Sequence, residues 1–440
     1  MSAKVGFDDY VAAGAAVADL DRLPRIEMWP TLAPEALYGL AGRVVATIDP
    51  FTEADPVATL ATFLVTVGNM LGPDVHAAAG EDPHPSRLYA ALVGQSSKGR
   101  KGMSWRAVRR ILAAVDESWA ATRVMSGLST GEGVIFHVRD AQKEQQPIKE
   151  RGRVVGYETV IADAGVDDKR VCIEEPELAA ALRRMERESN SLSAVLRQAW
   201  DDGALGTLTR NSPLRATGAH VSILAHITQQ ELVANLGATE QVNGFANRFL
   251  YFLVQRSKEL ADPERLPDHV LRPLVDELRD VVNWNRRVGA HVLRRDHAAA
   301  AAWTKIYGHL SAERAGLLGA LTARAEAHVL RMSVLYAILD RAEAIQPPHL
   351  AAALAVWGYA ETSTTLIFAG LSGHPIADII LRALRTKGEM TRTDIRDLFQ
   401  RNQSDERIRA ALLRLDAEGR IERGQRETGG RPAEVWRIKR

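Results

Sequence analysis

Apolar residues recur at helical spacing from Val57 to Leu71, directly after Asp55 and Pro56, a pair that favours a helix start. Beyond Ser86 the texture changes. Five short apolar, β-rich runs follow at 88–93, 123–126, 171–173, 221–225 and 249–254, with helical patterns between several of them. That alternation predicts an α/β fold, a parallel sheet with crossover helices. Residues 259–372 then read as almost wholly helical and Ala-rich, as in 297–303 and 349–357. A Ser-Gly-His-Pro stretch from Ser372 reads as a linker to a last compact unit. The predicted division is a helical region at 1–85, a sheet-containing core at 86–258, a helical lid or bundle at 259–372, and a small domain at 374–440.

Composition changes this picture little. Among 440 residues, 56 Lys and Arg stand against 55 Asp and Glu, so a charged partner must be met by a local patch. One cysteine, Cys172, excludes an internal disulfide framework and a cysteine-rich zinc site. The run from Val57 is interrupted by Thr59, Thr62, Thr66 and Asn69 and falls short of the roughly 20 apolar residues that span a bilayer. With acidic Asp8 and Asp9 near the start and no basic leader pattern, the expectation is a cytoplasmic protein without a membrane partner.

The first of the five runs leads into Gly94-Gln-Ser-Ser-Lys-Gly99-Arg100-Lys101-Gly102-Met-Ser104, and then a helix with Trp105, Val108, Ile111, Leu112 and Val115 on one face. A strand, a Gly-rich turn and a helix N-terminus make a phosphate cradle, because backbone N–H groups converge where the helix dipole favours negative charge. Gly94 and Gly99 match G-x-x-x-x-G-K-[ST], but Arg100 stands where lysine is expected, and Lys101 and Ser104 come late. The simpler alternative is a basic surface turn. Lys101 is the expected phosphate-contacting charge, and Ser104 an expected magnesium ligand.

The run at 171–173 ends in Glu174 and Glu175. One carboxylate at such a strand tip can hold magnesium, and its neighbour can orient the attacking water. Glu174 is assigned the first role and Glu175 the second; both also fit as helix-start charges before Pro176. Glu132, in Ser129-Thr130-Gly131-Glu132, is a second candidate carboxylate, or else half of a capping box with Ser129. His226 ends another apolar run and places a polar group at a third strand tip. No histidine spacing suggests a metal site. Arg248 precedes the last run and could stabilise charge on a transferred phosphate, its own or a neighbour's, or pair with a strand-end carboxylate.

The closing unit, 374–440, holds 16 Lys and Arg against 11 Asp and Glu, a net of +5, leaving about −4 for the rest of the chain. It reads as three helices, the third at 404–418 with Ser404 as N-cap and Ile408, Ala411, Leu412 and Leu415 inward. Two short strands at 420–423 and 435–438 flank Thr428-Gly-Gly-Arg431-Pro432. That pattern suggests a winged helix, with Arg407, Arg409 and Arg414 on the third helix and Arg426 and Arg431 on the wing as candidate DNA contacts. The alternative is a winged helix used for protein contacts.

The order of these motifs resembles a family of RecA-like P-loop ATPases of plasmids and phages, found beside or fused to primase–polymerase replication modules. The likeness rests on Gly94–Ser104, the 129–132 segment, Ile173-Glu174-Glu175, Gln198-Ala-Trp200-Asp201-Asp202-Gly203, Gly244-Phe245-Ala-Asn-Arg248-Phe249-Leu250, and the helical stretch from Arg324 to Arg331. The resemblance implies a RecA-like P-loop core, ATP and Mg2+ as cofactors, and a homo-oligomer, as in a hexameric ring. It also implies work on DNA as a helicase or replication initiator, with any priming supplied by a separate protein. The competing reading is a non-catalytic DNA-binding regulator or scaffold with a degenerate nucleotide site.

Overall fold

All five apolar runs are strands of one sheet. They are β1 (Tyr89–Gly94), β2 (Val124–Met125), β3 (Arg170–Glu175), β4 (His220–Thr228) and β5 (Phe249–Val254), all parallel, in the order β5-β1-β4-β3-β2. The computed structural model describes residues 29–94, 102–150, 153–187, 189–207, 213–368, 374–399, 403–427 and 433–439. The chain divides into two compact units, 1–31 and 32–440, and every element described belongs to the second. Among the described residues no helix is long and apolar enough to cross a membrane.

The central strands are buried along their length, as near-continuous Val, Ile, Leu and Ala runs require when both faces of a sheet are covered. Helix α1 (Pro56–Leu71) covers one face. Asp55 caps it, its Oδ1 accepting from the Val57 N–H at 3.0 Å, and Pro56 occupies the first turn. The polar residues that interrupt its apolar run are the ones that bond to neighbours. Asn69 Nδ2 donates to the carbonyls of Val171 and His220, each at 2.9 Å, and its Oδ1 accepts from Trp119 Nε1 at 3.0 Å. A fully buried helix needs its polar groups paired in this way.

Helix α2 (Met103–Val115) follows β1 and turns Val108, Ile111 and Leu112 inward beside α1. A single apolar cluster runs from Ala36 to Ala360, so the N-terminal helices, the sheet and the helices beyond it share one core. The last part of that cluster comes from helices α5 (Ala325–Leu339) and α6 (Pro347–Ile367). Between β2 and β3 the chain makes an antiparallel ribbon, Gln142–Glu150 with Arg153–Asp163, that the hydrophobic pattern did not predict.

The C-terminal unit has a core of its own, including Ile380, Leu384, Ile408, Leu412, Leu415 and Trp436. It runs helix α7 (Pro375–Lys387), β6 (Glu389–Thr391), α8 (Arg392–Leu398), α9 (Asp405–Ala417), β7 (Ile421–Arg426) and β8 (Ala433–Ile438). The strands form an antiparallel sheet ordered β6-β8-β7, so the predicted hairpin gains a third strand from the stretch before Thr391. Thr391 caps α8 in a capping box with Asp394, and Ser404 caps α9, accepting from the Arg407 N–H at 3.3 Å.

Candidate functional site

Strands β1 and β4 are neighbours, but their onward connections run in opposite directions, β1 towards β2 and β4 towards β5. In parallel sheets such a switch leaves a crevice beyond the carboxyl ends of the strands. An open cleft of about 1170 Å³ lies there. Gly102 and Met103 at the start of α2 line it, with Glu174 from β3 and His226 and Thr228 from β4.

Register decides which strand-tip side chain enters. Leu224 of β4 pairs with Glu174, so Glu174 and His226 fall on one face, two residues apart along the pleat. His226 Nε2 lies 3.5 Å from Glu174 Oε1. Burial raises the Glu174 carboxyl above the ordinary glutamate range, with Glu175 adding to the effect and Arg109 opposing it. Glu175 points to the opposite face. Its Oε2 accepts from the Leu128 N–H at 2.8 Å and its Oε1 from the Glu177 N–H at 3.4 Å, so it ties the loop after β2 to the β3 tip. The water-orienting role read for Glu175 therefore meets a side chain already engaged in backbone bonds away from the cleft.

The other predicted site residues divide clearly. Gly94 ends β1 and Gly102 precedes α2, so a strand stands before the Gly-rich stretch and a helix after it. Gly99, Arg100 and Lys101 lie outside the described residues. Ser104 is fully buried, its hydroxyl 2.9 Å from that of Thr62, which leaves Glu174 as the predicted magnesium ligand that lines the cleft. Among the described residues no group of three or more His, Cys, Asp or Glu side chains is placed to hold a metal ion. Glu132 is exposed and accepts from Ser191 Oγ at 2.8 Å. The cap of its helix α3 (Gly131–Phe136) is Thr130, not Ser129, because Thr130 Oγ1 accepts from the Gly133 N–H.

Arg248 lies at the other end of the sheet. It precedes β5, whose first residue pairs with Tyr89 and whose last pairs with Gly94, so roughly 20 Å of strand separates it from the cleft. Its guanidinium makes a two-pronged pair with Asp201 (Nε to Oδ1 at 3.2 Å, Nη2 to Oδ2 at 2.6 Å) at the end of helix α4 (Leu192–Asp201). Asp201 ends a helix, so this pairing differs from the strand-end carboxylate read from the sequence.

The same pair joins three of the quoted motifs. Arg331 stacks over the Trp200 ring at 3.5 Å, Arg324 at 5.0 Å and Arg248 at 5.6 Å. Arg331 donates to the carbonyls of Arg87 and Trp200, and Arg87 to those of Ala219 and Asp201. Gly203 turns the chain with φ +75°, and a Cβ there would lie 2.3 Å from the Ala219 carbonyl oxygen. Gly244, at φ +88°, leaves room for the Arg248 guanidinium, which donates to its carbonyl.

Several cleft residues escaped the sequence reading. Arg106 lies on the polar side of α2 and makes no side-chain hydrogen bond or ion pair among the described residues. Arg110, one turn on, donates to the Leu266 carbonyl at 2.7 Å and pairs with Asp268. Their i,i+4 spacing opposite Val108 and Leu112 was the available signal. Thr228 and Glu231 form a capping box at the cleft rim, and a Thr-x-x-Glu directly after an apolar run could have revealed it.

In the C-terminal unit Arg407 and Arg409 are exposed and make no side-chain ion pair among the described residues, whereas Arg414 pairs with Glu418 and Arg426 lies 3.6 Å from Glu389. Arg431 lies outside the described residues. Arg407 and Arg414, seven apart, share one flank of α9; Arg409, two residues from Arg407, is on the other. Between them the outermost face carries Ala410 and a 56% exposed Leu413. No protein-family model matches the chain, and no curated protein does.

Proposed function

We propose that this protein is an ATP-dependent, DNA-associated motor, a replicative helicase or replication initiator of a mobile element, with its nucleotide in the cleft at the carboxyl ends of β1, β3 and β4. One observation carries the reading. A helix N-terminus, a half-buried carboxylate with a raised pKa and a buried histidine meet at the crevice of a five-stranded parallel sheet. The start of α2 suits the phosphates, and Arg106 adds a positive charge at the rim. Magnesium would supply charge neutralisation on the transferred phosphoryl group, with Glu174 as its protein ligand. His226 lies beside that carboxylate, its Nε2 3.5 Å from Oε1. RecA-like P-loop architecture is the finer form of this fold reading, supported by a β1 that precedes the Gly-rich sequence and is separated from the acidic β3 by β4.

DNA is the second partner in the proposal. The helix–strand–helix–helix–hairpin order of 374–440 supports a winged helix, and its net charge of +5 supports a polyanion. The exposed Leu413 between the arginine flanks of α9 favours a second reading, in which this unit docks protein and the chain is a non-catalytic scaffold. Release of phosphate from ATP, measured with and without single- and double-stranded DNA, separates the two. The motor reading expects DNA-stimulated turnover; the scaffold reading expects none.

A further inference from the structure

The ribbon at Gln142–Glu150 and Arg153–Asp163 is exposed on both faces and belongs to no larger sheet. Its root is held by the Arg139–Asp163 pair, with Nε to Oδ2 at 2.6 Å, and by Gln142 Nε2 donating to the Pro213 carbonyl at 3.0 Å. Two-stranded ribbons are marginal on their own, yet this one leaves Tyr157 67% and Ile161 65% exposed. Apolar side chains grouped on such a surface mark an interaction site.

The register sorts the ribbon into two unlike faces. Lys143 is opposite Ile161, Gln145 opposite Thr159 and Pro147 opposite Tyr157; these share one face, which Lys149 extends. Glu144 opposite Val160, Gln146 opposite Glu158, Ile148 opposite Gly156 and, past a register shift, Glu150 opposite Arg153 make the other, three carboxylates against one guanidinium. Side-chain bonds agree: Gln145 Nε2 donates to Thr159 Oγ1 at 2.8 Å on the first, and Gln146 Nε2 to Glu144 Oε1 at 2.8 Å on the second. The first face is apolar and basic, the second apolar and acidic. Across 142–163 four basic and four acidic residues cancel, so the ribbon as a whole carries no excess charge for a polyanion.

We propose that this ribbon is the self-association arm of the protein, the Lys143–Lys149–Tyr157–Ile161 face of one copy seating on the Glu144–Glu158–Ile148–Val160 face of the next. A contact between two different faces is head-to-tail, and such contacts close into rings when the rotation permits. The charge segregation selects this pairing, because either face against its own kind sets like charges together. The inference stands on surface chemistry and does not depend on nucleotide binding.

The test is charge reversal with complementation, read by sedimentation velocity of the full chain. Wild type should sediment as an oligomer. Lys143→Glu with Lys149→Glu makes both faces acidic, and Glu144→Lys with Glu158→Lys makes both basic. Each double variant should weaken association at least about tenfold, and an equimolar mixture of the two should restore it. Far-UV circular dichroism matching wild type confirms that the exposed changes leave the fold intact. A monomeric wild type, unchanged association in either double variant, or no recovery on mixing would overturn the proposal. So would an unchanged oligomer accompanied by lost DNA affinity, which would make the ribbon a nucleic-acid contact instead.

Discussion

At the scale of single residues, one step along β3 separates two roles. Glu174 faces the cleft and Glu175 faces the loop after β2. Glu174→Gln should reduce turnover by about 100-fold or more, since a neutral amide removes the negative charge proposed to hold magnesium. Its raised pKa fixes the sign of the stability effect. A carboxyl whose folded pKa lies above the unfolded one stabilises the fold below the unfolded pKa, and loses that contribution as pH rises through the folded pKa. Glu174→Gln should therefore match or exceed wild type in melting temperature at neutral pH, and a clear drop would contradict the account. Glu175→Ala should behave differently, costing about 1–3 kcal/mol in urea unfolding because the buried Leu128 amide loses its acceptor. Arg248→Ala should cost about 3 kcal/mol, the low end for a pair whose carboxylate is partly exposed. Unchanged stability with lost activity would return Arg248 to a chemical role.

At the scale of elements, the five sheet strands were legible because each is a short apolar run between turn signals, and a strand buried on both faces needs nothing more. The end of β1 at Gly94 and the start of α2 after Gly102 were legible from the apolar run before and the amphipathic pattern after. The ribbon was not, because Gln142–Glu150 is polar on both faces and contains Pro147, so no burial writes a period into it. The Arg248–Asp201 pair spans 47 residues, and nothing local in either motif names the other. The opposite faces of Glu174 and Glu175 could have been read from parity, since Cys172 and Glu174 share one face. The C-terminal unit has a complete core, so removing 374–440 should leave a folded remainder with basal turnover and lower DNA affinity. Because Arg407 and Arg409 lie on opposite flanks of α9, each alanine variant should reduce the salt slope of DNA binding by about 1 if the helix enters a groove. Slopes unchanged in both would assign α9, with its exposed Leu413, to a protein partner.

At the scale of the whole molecule, buried histidines tie stability to pH. Burial holds His220 and His328 neutral, with pKa lowered to about 3, and His84 to about 4; neighbouring arginines push each the same way. An unfolded histidine takes up a proton near pH 6.5 and these three in the fold do not, so their stabilisation is present above that pH and lost as pH falls below it. Urea midpoints at pH 7.5, 6.5 and 5.5 should fall in that order, steepening towards three protons taken up per unfolded molecule. A flat profile would mean that these sites open to solvent. The cleft is the proposed seat of nucleotide turnover. Phosphate release from ATP by the full-length protein, with Mg2+ and with and without DNA, tests it directly when Glu174→Gln is run alongside. DNA-stimulated turnover that Glu174→Gln lowers by about 100-fold or more is expected; no turnover by wild type, or equal turnover by the variant, would overturn the nucleotide reading of the cleft.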